Sequence, residues 1–155
     1  MGPPARIRRR VILDASVLVK WFLADESLVP EAIAVRNAAA RDEVSLTAPS
    51  VVWAEAGHAL VRAHRRGRIA SSDAEALVEI MERSRSLITL LEVPLNTSVR
   101  IALRTGVGAY DAQYLACSQR LQQTVLTADR GMLERGRDAG FDVSWLGDLP
   151  VSMTS

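Results

Sequence analysis

The chain has almost no cysteine and almost no lysine. Cys117 is the only cysteine in 155 residues, which excludes an intrachain disulfide and fits a reducing cytoplasm. Lys20 is the only lysine, so arginine carries nearly all of the basic charge. Arginine binds phosphates through a bidentate fork, which is compatible with an RNA ligand, although a genome-wide codon bias explains the same composition.

The sequence also lacks an uncharged apolar run as long as a membrane-spanning helix requires. Four arginines between positions 6 and 10 precede apolar residues and imitate a secretory signal. Asp14 and Lys20 interrupt that apolar stretch, and no small-residue cleavage site follows it. We therefore expect no signal peptide, no membrane-spanning segment and a cytoplasmic protein.

Charge of either sign is not in excess. The 19 basic and 18 acidic side chains give a net charge of +1, which by itself implies no nucleic-acid partner. Nearly half of the residues are hydrophobic, enough for a sizeable core, and the length is that of one domain. We expect a single domain over residues 1–150, with flexible tails at 1–9 and 150–155.

Short apolar strands alternate with helical patterns along the whole chain. The first strand, Val11 to Leu13, is rich in β-branched residues, as is typical of a strand buried on both faces. Further strands are predicted at 44–48, 87–93, 124–127 and 142–145. This alternation predicts an α/β fold with a mainly parallel central sheet between layers of helices.

Two of the predicted helices are expected to bury an apolar face. The helix after the first strand presents Val17, Leu18, Trp21 and Phe22 on one side. The helix predicted over 71–84 is expected to turn inward Ala76, Leu77, Ile80 and Met81.

Four acidic residues occupy positions that a parallel sheet brings together. Asp14 follows the first strand, Glu55 lies on the helix after the second, Asp111 lies in the first turn of a helix, and Asp129 follows the strand that ends at Thr127. Ligands of such sheets bind at the carboxyl ends of the strands. Considered alone, each acid could equally be an ordinary residue of a solvated helix face, a helix cap or a turn.

Four carboxylates at one edge repel one another unless a cation lies between them. Hard divalent ions prefer oxygen ligands, and Mg²⁺ binds a few carboxylates together with waters and a substrate phosphate. Such a site can activate water and stabilise the leaving oxygen in phosphodiester cleavage. The pattern therefore predicts a magnesium-dependent hydrolytic site.

These segments resemble a PIN-domain ribonuclease, most closely the VapC-type toxins of prokaryotic toxin–antitoxin pairs. The resemblance spans nearly the whole domain, in the order that the family shows, and rests on residues 11–22, 48–55, 110–116 and 126–129. It implies a PIN-like three-layer α/β/α sandwich. It also implies that the protein hydrolyses single-stranded or looped RNA with Mg²⁺ or Mn²⁺.

The same resemblance assigns roles to individual residues. It places the catalytic and metal-binding site at Asp14, Glu55, Asp111 and Asp129. Ser16 and Thr127 would be hydroxyl neighbours that orient the carboxylates or water. Members of the family usually form homodimers and are silenced by a small cognate antitoxin. Apolar side chains beside the groove that the core does not use are expected to anchor this partner, among them Val17, Leu18, Trp21 and Phe22.

The sequence departs from the family's pattern at His58, where many relatives carry an asparagine. One turn from Glu55, this histidine can reach the site or a phosphate, or can be an ordinary surface residue. A basic cluster at the end of the same helix is expected to follow the RNA backbone or to be a solvated helix end, and it comprises Arg62, Arg65, Arg66 and Arg68.

Other α/β proteins with an acid after a strand fit less well. A receiver domain needs a lysine late in the chain, and none follows Lys20. A phosphatase of the haloacid-dehalogenase type needs an aspartate two residues after the first, where this chain has Ser16. A PIN-like module that binds RNA or protein without cutting remains the open alternative.

Overall fold

Five parallel strands form the centre of the molecule. The computed structural model describes residues 9–149, and its strands are β1 (Arg9–Leu13), β2 (Val44–Pro49), β3 (Ile88–Leu91), β4 (Thr124–Thr127) and β5 (Val143–Trp145). Every adjacent pair is parallel. The predicted α/β class is confirmed, with a sheet that is parallel throughout its described strands.

The strand order places β1 in the middle of the sheet. The order is β3-β2-β1-β4-β5, so the chain adds strands on one side of β1 and then on the other. Ile12 pairs with Thr47 of β2 and with Val125 of β4. The switch point of the sheet therefore lies between β1 and β4, where open α/β sheets bind ligands beyond the strands' carboxyl ends.

Helices flank the sheet in a three-layer α/β/α arrangement. They are α1 (Ala15–Leu18), α2 (Val29–Ala40), α3 (Val52–Arg65), α4 (Ser71–Ser84), α5 (Leu95–Thr105), α6 (Ala109–Leu121) and α7 (Arg130–Asp138). The first predicted helix is in fact one turn of α-helix continued by a 3-10 turn, Val19–Trp21. Every helix between residues 9 and 149 is too short or too polar to span a bilayer.

The main core lies against both faces of β1. Ile12 and Leu13 are fully buried, as expected for a central strand. The predicted apolar face of the first helical segment is buried as well, with exposures of 0 to 8% at Val17, Leu18, Trp21 and Phe22. Because the core uses these four side chains, they are not available to anchor a partner.

The helix α4 lies at the periphery and buries none of its residues. Ile80 is 42% exposed, and Ala76 is exposed, so the prediction that both face the core is wrong. Leu77 and Met81 are partly buried and pack on a small cluster that includes Leu60. The helical period predicted the helix correctly, but α4 packs mainly against α3, along one edge, so part of its apolar face stays exposed.

The N-terminal boundary differs by one residue from the prediction. Arg9, assigned to the flexible tail, begins β1 and pairs with Val44. The remaining predicted tail positions, 1–8 and 150–155, lie outside the described residues.

Candidate active site

Asp14 lies at the carboxyl end of the central strand and is only 4% exposed. Its backbone N–H donates to the Leu126 carbonyl at 3.0 Å, which fixes it beside β4. Its side chain does not cap α1. Instead, Oδ2 accepts hydrogen bonds from Ser16 Oγ at 2.6 Å and Thr127 Oγ1 at 2.7 Å. Asp14 is thus a buried carboxylate held in one orientation by two hydroxyls.

The two hydroxyls are themselves oriented by the backbone after β4. The Ala128 N–H donates to Ser16 Oγ at 2.9 Å, and the Asp129 N–H donates to Thr127 Oγ1 at 3.0 Å. Each hydroxyl therefore accepts one bond from the backbone and has its own proton available for Asp14. The predicted neighbours Ser16 and Thr127 lie at the carboxylate, 111 residues apart in sequence.

Glu55, on α3, is partly buried and has a partner that the sequence analysis missed. Tyr114, on α6, is fully buried and donates its hydroxyl to Glu55 Oε1 at 2.9 Å. Tyr114 lies one turn after Asp111, so the two residues share a helix face. That spacing was the only indication in the sequence that Tyr114 lies near the site. The same position is equally typical of an ordinary core residue.

The other two acids lie at the starts of helices. Asp111 is partly buried in the first turn of α6. Asp129 caps α7, because its Oδ1 accepts from the N–H groups of Gly131 at 2.8 Å and Met132 at 3.2 Å. The cap role considered for Asp129 is therefore present, and it fixes the side chain near the end of β4.

Burial and mutual repulsion raise the pKa values of three of the acids. Burial raises the pKa of Asp14 to about 6, and the charges of Asp111 and Asp129 act in the same direction. Burial raises the pKa of Glu55 to about 7, with further repulsion from Asp14 and Asp111. The pKa of Asp111 is raised by burial and by Asp129. The four carboxylates therefore interact as one electrostatic cluster.

One arginine partly offsets this negative charge. Arg135, on α7, lowers the pKa of Asp111 against the larger effect of burial. Gly131 makes room for it: a Cβ at that position would lie 2.9 Å from Arg135 Nη1 and 3.3 Å from Asp129 Oδ1. Its charge is thus close to the acidic cluster, which the sequence analysis did not anticipate.

Comparisons with known proteins identify the family to which this fold belongs. The chain matches the description "PIN domain" over residues 11–138, more than four fifths of its length. This chain belongs to the PIN domain family. The matched region contains Asp14, Glu55, Asp111 and Asp129. A comparison with curated protein sequences gives no match.

Two solved structures share the fold of this PIN domain. PAE2754 from Pyrobaculum aerophilum has 23% sequence identity and a TM-score of 0.70, and the match covers 95% of this chain and 98% of that one. FitAcB from Neisseria gonorrhoeae has 16% identity and a TM-score of 0.62, with coverage of 90% and 99%. At these identities the likeness shows the fold alone.

A cavity of about 840 Å³ opens in the PIN domain between α1, the start of α3 and the segment after β4. Ser16, Glu55 and Asp129 line it, together with the predicted His58. Asp14 lies beneath Ser16 and is not part of the cavity lining. Of the four acids, Glu55 and Asp129 are therefore the two that face the cavity.

The four predicted RNA-binding arginines divide into two pairs. Arg62 and Arg68 line the cavity, whereas Arg65 and Arg66 do not. Arg68 is already paired, with Nε and Nη2 donating to Asp25 at 2.7 and 2.6 Å. We conclude that only Arg62 combines a place in the cavity wall with an uncompensated charge, among these four.

Within residues 9–149, no group of three or more histidine, cysteine, aspartate or glutamate side chains has the geometry of a metal site. The acids are nevertheless close enough to shift one another's pKa values. They are thus electrostatically coupled without being gathered around a single point.

Proposed function

We propose that this PIN domain is a Mg²⁺- or Mn²⁺-dependent endoribonuclease that acts in the cytoplasm as the toxin of a toxin–antitoxin pair. One observation carries the nuclease proposal. Asp14 is buried at the switch point of a parallel sheet, oriented by two hydroxyls and coupled electrostatically to Asp111, Asp129 and Glu55. A buried carboxylate with raised pKa beside a cavity is typical of a functional site.

The chemistry of the donor set supports a hard divalent ion. All four proposed ligands are carboxylates, and their repulsion is only partly offset by Arg135. Mg²⁺ and Mn²⁺ favour such oxygen donors, and Mg²⁺ keeps several waters and binds substrate phosphate as well. When bound, the ion would supply an activated water and stabilise charge on the phosphate oxygens.

The chain's own residues hold this donor set in place. Ser16 and Thr127 keep Asp14 Oδ2 in one orientation, and Tyr114 does the same for Glu55 Oε1. Asp111 and Asp129 are positioned by the first turns of α6 and α7. These contacts orient each carboxylate, so the remaining cost of metal binding is to bring the carboxylates together around one ion.

The alternative is a PIN-like module that binds RNA or protein without cutting it. Four interacting carboxylates destabilise the metal-free fold, and metal binding gives a reason for this cost that a binding module without metal lacks. The deciding test is cleavage of a mixed pool of structured RNAs with Mg²⁺, with Mn²⁺ and with EDTA. Cleavage that requires the metal supports the nuclease, whereas RNA binding without any cleavage in either metal supports the binding module.

Our first quantitative prediction concerns how strongly these arginines bind RNA. Arg62→Gln is expected to weaken RNA binding and to lower the slope of log affinity against log salt by ~0.7, the value for one lost contact with a single strand. Arg68→Gln should have a smaller effect, because Asp25 and Glu26 already compensate its charge. Fluorescence anisotropy at several salt concentrations measures both slopes.

The control for this experiment is Arg83→Gln, on exposed α4 and away from the cavity. Its salt slope should equal that of the wild type. We propose that the basic cluster follows the RNA backbone. This proposal is rejected if the salt slope is unchanged after combined replacement of Arg62, Arg65, Arg66 and Arg68.

The proposed antitoxin leads to a second prediction. We expect a short protein, encoded next to this chain, to place an arginine or lysine among the four acids and so offset their repulsion without metal. An amphipathic segment of the same partner can pack on the apolar part of the cavity wall, formed by Val19, Val51 and Ala54. Its binding should inhibit cleavage and weaken as the metal concentration rises.

Co-expression followed by pull-down and a metal titration measures this competition. Tight inhibition that is wholly indifferent to metal would contradict a basic side chain among the acids.

The homodimer is also a proposal, and sedimentation of the chain with and without its partner tests it.

A further inference from the structure

The cavity wall contains a buried lysine that no step of the proposed reaction uses. Lys20, the only lysine of the chain, lies in the 3-10 turn after α1 and is 5% exposed. It lines the same cavity as Glu55, Asp129 and Ser16, and Ser16 lies one helical turn before it. Lysine is almost never buried without a partner, so the contacts of this ammonium group are informative.

Its one ion pair is long. Lys20 Nζ lies 3.7 Å from Glu26 Oε2, beyond hydrogen-bond distance, and makes no hydrogen bond within residues 9–149. Glu26 is held by another cation, because Arg68 Nη2 donates to its Oε1 at 3.0 Å. Arg68 also binds Asp25 through two hydrogen bonds. Glu26 therefore does not depend on Lys20 for its charge compensation, and no residue between 9 and 149 accepts a hydrogen bond from the three donor protons of Lys20.

The Lys20 stem is buried, while its Nζ is not fully enclosed, so solvent or an anion in the cavity can supply the hydrogen bonds that the ammonium group requires. The position of Lys20 indicates which kind of anion binds there. Ser16, which faces the same cavity, donates to Asp14, so Lys20 lies one helical turn from the acidic cluster. An oxyanion bound at Lys20 would be next to the carboxylates.

We propose that Lys20 Nζ binds a non-bridging phosphate oxygen of a single-stranded RNA, at or next to the phosphodiester bond that is cut. In the free protein Glu26 is the nearest counterion, and the arriving phosphate takes over that role. This inference rests on the proposed nuclease function and adds to it one residue that contacts the substrate.

A structural ion pair between Lys20 and Glu26 is the competing explanation. The two explanations differ in what happens when charges are removed. A structural pair affects unfolding and leaves RNA binding and its salt dependence unchanged. A phosphate contact affects affinity and salt slope, and Glu26 acts as its competitor.

The central variant is Lys20→Met, which keeps a long apolar stem and leaves Glu26 bonded to Arg68. The probe is a short fluorescein-labelled single-stranded RNA of mixed sequence, titrated in EDTA to prevent metal-dependent cleavage. We expect affinity to fall about tenfold, since a hydrogen bond to a charged group contributes on this scale. The salt slope should fall by ~0.7, the value for one phosphate.

Three further variants separate the explanations. Arg83→Met removes one positive charge from exposed α4 and should leave affinity and slope unchanged. Lys20→Arg keeps a phosphate donor and should restore most of the affinity. Glu26→Gln should strengthen binding, and most of that gain should disappear in the Lys20→Met background, as a double-mutant cycle detects.

In Mg²⁺ the loss in Lys20→Met should appear in kcat/KM for RNA cleavage, with Lys20→Arg again closer to the wild type. Equal behaviour of Lys20→Met and Arg83→Met, while the wild type binds and cuts RNA, would overturn the role of Lys20 and leave the nuclease intact. A wild type that neither binds nor cuts RNA would overturn both. If Lys20→Met does not fold, an unchanged affinity of Glu26→Gln overturns the inference by itself.

Discussion

Asp14→Asn is expected to lower RNA cleavage by about a thousandfold or more, on the scale of several kcal/mol that metal-assisted charge stabilisation contributes. The asparagine Oδ1 can still accept the hydrogen bonds of Ser16 and Thr127, so the side chain should keep its place. What is lost is the negative charge at the centre of the acidic cluster. Cleavage rates at saturating Mg²⁺ or Mn²⁺ measure the effect.

The matched control for this loss is Asp138→Asn, at the exposed end of α7. It makes the same chemical change outside the site and should cleave at the wild-type rate. Circular dichroism and the melting temperature verify that Asp14→Asn is folded. Wild-type activity in Asp14→Asn, or in EDTA, is incompatible with a metal-dependent nuclease.

Stability against pH should show the charge repulsion directly in the metal-free protein. A carboxyl whose pKa is higher in the folded chain than in the unfolded chain binds protons more tightly when folded. Stability therefore falls as the pH rises through this range and is constant above it. For Asp14 the range runs from 3.8 to about 6, a cost of about 3 kcal/mol at neutral pH. Glu55 adds a smaller cost, because it is only partly buried.

In EDTA we therefore expect about 2 kcal/mol more stability at pH 5 than at pH 7.5, or a melting temperature about 4–8 °C higher. Asp25 acts in the opposite direction, because Arg68 lowers its pKa, but that contribution is lost only as the pH falls below 3.8. Urea unfolding at the two pH values measures the difference. Asp14→Asn should stabilise the metal-free protein at pH 7.5 and remove about half of the pH dependence.

Adding Mg²⁺ or Mn²⁺ at pH 7.5 should restore the lost stability by mass action, by about 2.7 kcal/mol at a hundred times the dissociation constant. The increase should be much smaller in Asp14→Asn. If melting is unchanged at metal concentrations that support cleavage, the acids do not share a metal. If stability is the same at pH 5 and pH 7.5, burial and repulsion do not raise the pKa values as the structure indicates.

Local sequence was enough to identify the fold class and the candidate acids. Val11 to Leu13 is apolar and β-branched, Asp14 follows at once, and a helical pattern comes next; each of these signals depends on neighbours in the chain. The strands predicted at 44–48 and 124–127 agree with β2 and β4 for the same reason. The apolar pattern of α4 did not predict its burial correctly. A helical period indicates which residues share a face, but not whether another element covers that face.

The sequence by itself determined the alternation of strands and helices, the positions of the four acids and the absence of a second cysteine. Tertiary structure alone decided which charges are paired. Arg68 binds Asp25 across 43 residues, Tyr114 reaches Glu55 across 59, and Thr127 reaches Asp14 across 113. Lys20 interrupts an apolar stretch in the sequence and is buried in a cavity wall in the fold. The physical reason is that burial and pairing depend on distances between remote segments, which the strand order sets and local periodicity does not.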